Sequence, residues 1–362
     1  MKKTAIRLES IKEYYFSKKL REVSQMINDG RDIINMGIGS PDIKPHPKVL
    51  KTLANAMYHP KANMYQSYQG LPELRKAIMD FYKRFYSVTL DPNTEVLPLM
   101  GSKEGIMHLS MAYLDPGDQV LIPNPGYPTY LTVTKLMEAE PIFYNLKASN
   151  GWQPDLNELE SINTSKVKLM WLNYPNMPTG TDACEEIFDS LIQWAKSRNI
   201  LLVNDNPYSF VLTAKPKSIL SRPGAKEVAI ELNSLSKSFN MSGWRVGMLL
   251  GKEEVLKETL KVKSNMDSGM YYGTQQAAIT ALKMNNDWFI KLNKEYEKRR
   301  ELMQEFIKKI NAYYTPGQVG LFLWARLPDG FSSDKIFTDN LLNEKNIFIT
   351  PGFIFGSEGK GY

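Results

Sequence analysis

The feature that most constrains this chain is a succession of short apolar runs beginning near residue 96. Each run ends in turn residues and gives way to a stretch with helical spacing. The runs fall at 96–100, 119–123, 141–146, 166–173, 200–205, 228–235 and 246–251. Several are apolar almost throughout, as in Ile200-Leu201-Leu202-Val203, which is the pattern of a strand covered on both faces. Strand and helix in alternation predict an α/β fold with a mostly parallel sheet flanked by helices. Such sheets bind ligands in the crevice beyond the C-terminal strand ends. Functional residues are therefore expected just after these runs.

The flanks read differently. Residues 10 to 29 have helical spacing, with Ile11, Tyr14, Tyr15, Leu20, Val23 and Ile27 toward one side. A short apolar run, Ile33 to Ile38, ends in the turn Gly39-Ser40-Pro41. Helices are predicted near 46–58 and 71–86, the second with Pro72 in its first turn. After residue 253 the pattern is helical to about 313. A strand Leu321–Arg326, a helix near 333–344 and a strand Ile347–Thr350 follow. The expected organisation is a large α/β domain over 46–265 and a smaller α+β domain formed by 1–45 and 266–362. A chain of 362 residues with 43% hydrophobic content has core enough for about two domains.

Charge and cysteine usage exclude several classes. Lys and Arg total 45 against 39 Asp and Glu, a net +6. The sequence has no dense basic block and no basic run interleaved with aromatics, so a nucleic-acid partner is not expected. The mild excess suits small anions. The single cysteine, Cys184, cannot form an internal disulfide, and its acidic neighbours argue against a nucleophile. Met1-Lys2-Lys3 is followed by charged residues rather than an apolar stretch, so no signal peptide and no membrane partner are expected, and the chain reads as soluble and cytoplasmic. His46, His59 and His108 show no metal-ligand spacing, so no metal is expected.

Motifs stand at the predicted strand ends. Gly101-Ser102-Lys103-Glu104-Gly105 joins a strand to a helix. Small residues, a hydroxyl, a cation and the free N–H groups of a helix start all suit a phosphate, although an ordinary turn explains the segment equally well. Pro123 to Pro128 places Tyr127 in a rigid turn, where it could cover a planar ring or simply pack. Asn173-Tyr174-Pro175-Asn176-Met177-Pro178-Thr179-Gly180 is a good turn. Asp205 ends a buried run, with Tyr208 three residues on. A carboxylate there needs a partner, either a Lys or Arg or a protonated ring nitrogen. The last motif is Ser234-Leu235-Ser236-Lys237, with Arg245 in Gly243-Trp244-Arg245-Val246-Gly247. A lysine shielded from water and close to another cation loses its proton more easily and becomes a nucleophile.

Together these segments resemble the class I and II aminotransferases, the fold type I pyridoxal-phosphate enzymes. The resemblance runs in order from Gly37 to the C-terminus. It is most specific at Ser-Leu-Ser-Lys and Gly-Trp-Arg-Val-Gly. It implies transfer of an amino group from an amino acid to a 2-oxo acid by a ping-pong route, through a Schiff base on Lys237. Lys237 would also move the proton at the substrate Cα. Asp205 would pair with the cofactor's pyridine nitrogen, Tyr208 with its ring oxygen, and Tyr127 would stack on the ring. Ser102, Lys103, Ser234 and Arg245 would hold the phosphate. Gly39 would lie beside the substrate. Tyr65, rather than Tyr68, would reach the phosphate of a neighbouring subunit, implying a homodimer with shared active sites.

Two departures stand out. Members of the family usually carry Asn where this chain has Met177, so one donor to the ring oxygen is lost unless Asn176 turns to replace it. The segment Pro351 to Tyr362 resembles the one just before the family's carboxylate-binding arginine, which would follow Tyr362. The resemblance also leaves other reactions open on the same scaffold, such as a β-lyase or a non-catalytic cofactor-binding effector domain. For substrate identity the hints are Tyr14, Tyr15 and Phe16, which would lie over the site or belong to the core.

Overall fold

The computed structural model describes residues 3–331 and 333–362. Its strands are β1 (Ile34–Asn35), β2 (Val96–Leu99), β3 (Gln119–Asn124), β4 (Glu140–Asn145), β5 (Val167–Leu172), β6 (Leu201–Asp205), β7 (Ala229–Ser234), β8 (Gly247–Gly251), β9 (Tyr313–Tyr314), β10 (Ala325–Arg326) and β11 (Ile347–Phe348). Seven of them form one sheet in the order β2-β8-β7-β6-β5-β3-β4. β4, β3, β5, β6 and β7 run parallel to their neighbours, and β8 lies antiparallel between β7 and β2. Each apolar run is a strand of this sheet, and the fold is the expected mostly parallel α/β architecture.

Side-chain alternation explains why the runs are apolar on both faces. In β5, Leu169 and Trp171 face one layer, and Met170 and Leu172 face the other. One layer packs the helices Ser102–Tyr113, Pro128–Leu136 and Glu253–Lys263 through Ile106, Leu109, Val133 and Leu256. The opposite layer packs Pro72–Tyr86, Glu185–Arg198 and Tyr272–Leu282 through Ile78, Phe81, Leu191 and Ala278. Each fully covered aliphatic side chain contributes about 1.5–3 kcal/mol, so a strand with both faces covered holds its register strongly. Glu231 interrupts this pattern in β7 without any exposure. It is tolerated because Tyr82 Oη donates to it at 2.7 Å, Ile219 N at 3.1 Å and Asn204 Nδ2 at 3.2 Å.

The two ends of the chain meet. β1 pairs in parallel with β11, and Val23, Leu342 and Phe348 bury one another beside them. We retain the division into 46–265 and the paired termini as a proposal. The helix Tyr272–Leu282 packs in the main core, and its Gln275 accepts a hydrogen bond from Leu71 N at 2.8 Å. Among the described residues no helix is long and apolar enough to cross a membrane.

Several boundaries differ from the sequence reading; the expected helix 46–58 is Pro47–Ala56 and the expected strand Ile347–Thr350 is Ile347–Phe348. The N-terminal helix is Tyr15–Asn28, not 10–29: a 3-10 turn, Ile6–Leu8, precedes it, and residues 11–14 lie outside any helix and carry Tyr14 to Tyr127. Ile27 is exposed, and Met26 packs in its place. The expected strand Leu321–Arg326 shortens to β10, which pairs with β9, a strand the sequence did not reveal. Residues 318–324 form a loop instead. Gln318 bonds both Trp324 N and Trp324 O at 2.8 Å, and Gly320 N donates to Val211 O, so these groups are taken before a ladder can form.

The topology sets up the site. Leu99 and Ser234 both pair with Gly247. The C-terminal ends of β2, β3, β5, β6 and β7 and the start of β8 therefore share one sheet edge, which carries every strand-end motif of the sequence.

Candidate active site

The site can be followed as a ring of contacts along that edge. Asp205, the last residue of β6, is 4% exposed. Its Oδ2 accepts from Tyr130 Oη at 3.0 Å, and its backbone oxygen accepts from Asn173 Nδ2 at 2.6 Å. Its Oδ1 is buried with no hydrogen-bond partner. Tyr130 lies in the helix Pro128–Leu136, flat against Trp171 at 4.9 Å and edge-on to Tyr127 at 5.5 Å. Tyr127 meets Tyr14 from the N-terminal segment, and the Lys103 ammonium sits 4.7 Å over the Tyr14 ring.

On the other side, Asn173 Oδ1 accepts from Met177 N at 2.9 Å and shapes the turn. Met177 Sδ accepts from Tyr208 Oη at 3.5 Å. Tyr208 packs edge-on against Phe322 at 5.8 Å, and a Cβ on Gly39 would lie 2.5 Å from the Phe322 ring. A side chain there would have to displace the Phe322 ring. Gly39 O in turn accepts from Lys237 Nζ at 2.5 Å.

Lys237 follows β7 in a single helical turn, Leu235–Ser238, capped by Ser234, whose Oγ accepts from Ser236 N at 3.0 Å. Beside it the backbones of Gly101, Ser102 and Gly247 are in close contact: a Cβ on Gly247 would lie 2.5 Å from Ser102 N. A Cβ on Gly101 would strike the Arg245 guanidinium. Gly101 has φ 91°, a value natural to glycine. The helix Ser102–Tyr113 thus begins at the sheet edge with its free N–H groups, the Ser102 hydroxyl, Lys103 and Arg245 in one neighbourhood.

Electrostatics follow from burial. Burial first, then the Arg245 charge, lowers the Lys237 ammonium from its ordinary value to about 8. Burial raises the Asp205 carboxyl to about 7, against the opposing hydrogen bond from Tyr130, with Glu231 adding a smaller upward push. Burial raises the Tyr208 phenol, helped by Tyr127 and Asp205.

The structure therefore brings together Ser102, Lys103, Tyr127, Asp205, Tyr208, Ser234, Lys237, Arg245 and Gly39. It does not bring Tyr65, which stands 91% exposed on the loop after Asn63. The partner of Asp205 within the chain is a tyrosine hydroxyl rather than a Lys or Arg. Ser234 Oγ donates inward, to Ser236 Oγ at 2.8 Å and Val246 O at 3.2 Å. Asn176 does not turn to replace the donor lost at Met177: its Oδ1 holds Thr179 N and Oγ1, although its Nδ2 is buried without a partner. His46 and His59 cap short helical segments. His108, Glu104 and Asp267 bring possible ligand atoms within 4.8 Å of one another, but the buried Lys263 ammonium, 2.6 Å from Asp267, already supplies the cation. Sequence reasoning missed Tyr130, Asn173 and Phe322. Tyr130 had a signal, being one helical turn after Tyr127, and Asn173 opens the turn motif without having been given a role.

Comparison with known proteins agrees with this geometry. The family model for aminotransferase class I and II matches residues 31–361. An LL-diaminopimelate aminotransferase of Aquifex aeolicus is 40% identical over 98% of this chain and 92% of its own. One from Dehalococcoides mccartyi is 37% identical over 99% and 93%. The apo structure of BacF from Bacillus subtilis superposes with a TM-score of 0.95 at 36% identity, covering 100% of this chain and 93% of that one. The chain belongs to the class I and II aminotransferases. It is an enzyme of amino-group transfer, in a family that depends on pyridoxal phosphate.

The residues fit that cofactor. The orphaned Asp205 Oδ1 calls for a cationic or N–H partner, and the helix start with Ser102, Lys103 and Arg245 suits a phosphate dianion. Before the cofactor binds, Asp205 is a source of instability. Its folded-state value lies above its unfolded one, so the unfolded chain loses this proton first. The cost is absent below about pH 4 and fully present above about pH 7. Asp205→Asn is expected to raise the stability of the cofactor-free protein at pH 8 by on the order of 4 kcal/mol, and to leave it nearly unchanged at pH 4. Denaturant unfolding at the two pH values reads this directly.

Proposed function

We propose that Lys237 is the amine that holds pyridoxal phosphate and carries the proton in transfer of an amino group from an amino acid to a 2-oxo acid. The observation that carries this reading is the pairing of a shielded lysine near pH 8 with a buried carboxyl that has an oxygen to spare, on one sheet edge. Pyridoxal phosphate, when bound, supplies an electrophilic carbonyl carbon and an electron-withdrawing ring.

The chain's own groups do the rest. Near neutral pH a useful fraction of Lys237 is unprotonated, so its Nζ can act as nucleophile and then take and return a proton at the substrate Cα. Asp205, facing a protonated ring nitrogen, would be drawn back to its charged form and would hold that nitrogen protonated. Tyr208 would donate to the ring oxygen and Tyr127 would cover the ring. Ser102, Lys103, Ser234 and Arg245, with the helix N–H groups, would hold the phosphate. Gly39 would admit the substrate beside Lys237. LL-diaminopimelate, from the names of the relatives, is one amino acid to test.

The protein supplied with pyridoxal phosphate is expected to gain a visible absorbance band that amino acids discharge and 2-oxo acids restore. Lys237→Ala should show neither the band nor the cycle. A band of the same strength in Lys237→Ala would reject the assignment.

A second copy of the chain is the proposed partner. Met57, Tyr58, Met64, Tyr65, Tyr68 and Met266 are exposed large apolar side chains on adjoining segments, since Gly269 packs directly on the backbone of Gln66. An apolar surface of this kind marks an interface, and Tyr65 within it would reach the neighbour's phosphate site. Sedimentation should give a dimer, and Tyr65→Phe should weaken cofactor affinity roughly tenfold, the worth of one charge-assisted hydrogen bond. A monomer that keeps full cofactor affinity would overturn this.

Met177 tunes the same site. A thioether is a weak acceptor for Tyr208 Oη and offers no donor to the ring oxygen. The proton on the Lys237 nitrogen of the holoprotein is then held more tightly. Met177→Asn is expected to lower the pH midpoint of the absorbance change, and coincident titrations of the two proteins would refute the role.

A further inference from the structure

We infer that Lys263 and Asp267 are positioning residues, which together fix the loop that presents Tyr65 to a second copy of the chain. What Tyr65 does there rests on the homodimer reading; how its loop is held does not.

The two side chains form an ion pair at 2.6 Å and are only 1% and 5% exposed. Lys263 is the last residue of the helix Glu253–Lys263, and Asp267 N turns back to its carbonyl at 3.1 Å. That helix shares a core layer with the helix Ser102–Tyr113, where Val255 and Leu256 lie with Ile106 and Leu109. The second helix brings Glu104 and His108 beside Asp267, with polar atoms of the three side chains within 4.8 Å of one another. His108 Nε2 and Glu104 Oε1 are 2.9 Å apart, and Glu104 Oε2 accepts from Met100 N at the head of the Gly101–Lys103 turn. The ion pair is therefore seated on the helix that begins at that turn.

From the pair the hold runs outward. Asp267 Oδ1 accepts from Gly269 N at 2.7 Å. Gly269, with φ 85°, lies on the backbone of Gln66: a Cβ there would stand 2.4 Å from Gln66 O. Gln66 Nε2 donates to Lys61 O at 3.0 Å and to Met64 O at 2.8 Å, closing the loop from which Tyr65 projects. Gln275 clamps the same two segments further on, donating to Met270 O at 2.7 Å and accepting from Leu71 N.

Stability alone does not account for the pair. A buried ion pair gives up its hydration, and apolar side chains of similar volume often serve stability as well or better. What they cannot supply is a directed acceptor. Asp267 uses its two oxygens separately, Oδ2 on Lys263 and Oδ1 on Gly269 N. Lys263 thus fixes the carboxylate, and the carboxylate fixes the loop.

The test compares two variants of the whole chain loaded with pyridoxal phosphate. Lys263→Met/Asp267→Ala removes the pair without stranding a buried charge. Lys263→Met/Asp267→Asn removes the same charges but leaves an oxygen for Gly269 N. In the alanine variant, hydrogen exchange at the Met64 and Gly70 amides, each bonded within this loop, is expected to quicken about tenfold, the worth of one hydrogen bond, with β5 and β6 unchanged. The asparagine variant should stay near the unaltered protein. Lys263→Met/Asp267→Val, which fills the space at 267, reads the same loop if the alanine variant does not fold. Affinity for pyridoxal phosphate should fall in the alanine variant about as far as in Tyr65→Phe, and no further when Tyr65→Phe is added. Unchanged exchange in the variant lacking the oxygen, equal exchange with and without it, or additive losses with Tyr65→Phe overturn the inference. If Tyr65→Phe alone binds the cofactor as the unaltered protein does, the shared-site reading fails, and the exchange comparison still decides how the loop is held.

Discussion

The site depends on one costly arrangement, a carboxyl buried at the end of a central strand with one oxygen unsatisfied. Asp205 could sit there cheaply only as a neutral acid, and its raised value shows that the fold alone favours that form. The surrounding structure holds it in place all the same. Tyr130 grips one oxygen, and Tyr130 itself is fixed flat against Trp171. Asn173 grips the backbone. A buried acceptor left unsatisfied in this way is what a cationic or N–H donor on a bound ligand would satisfy.

Lys237 is the complementary case. Its ammonium is shielded and repelled by Arg245, so the fold favours the neutral amine. Two groups with opposite ordinary charges are thus both pushed toward neutrality on one sheet edge, and both shifts trace mainly to burial. The sheet produces that burial. Helices on both faces exclude water, while the topology gathers the C-terminal ends of β2, β3, β5, β6 and β7 beside the start of β8. Gly101 and Gly247 allow the backbones after β2 and at the start of β8 to approach within contact, which a side chain would prevent. Stability of the layers and reactivity of the edge therefore come from the same packing.

Much of this was legible in the sequence, for physical reasons. Strands covered on both faces leave continuous apolar runs, so the sheet could be read run by run. Residues fixed by local chain geometry, such as Ser102 at a helix start or Asp205 at a strand end, lie where their motifs put them. What escaped depends on distant partners. The loop 318–324 looks like a strand until Gln318 is seen to bond Trp324 on both sides. Phe322 reads as ordinary core, yet it packs over Gly39, some 280 residues earlier, whose carbonyl holds Lys237. No local pattern encodes a contact of that separation.

Met177 shows how chemistry can change while the fold does not. The turn that bears it is closed by its neighbours: Asn173 Oδ1 holds Met177 N, Asn176 Oδ1 holds Thr179, and Val319 N donates to Gly180 O. None of these uses the side chain at 177, so a thioether stands there without structural cost. Its effect falls on what it faces. Tyr208 loses a strong polar neighbour, and the space between Tyr208 and Phe322 becomes more apolar. In the proposed function one substitution would thus act on two properties of the site, the grip on the proton at Lys237 and the polarity beside Tyr208. In the proposed reading the two are coupled, because the same side chain would border the cofactor's oxygen and the path to the amine.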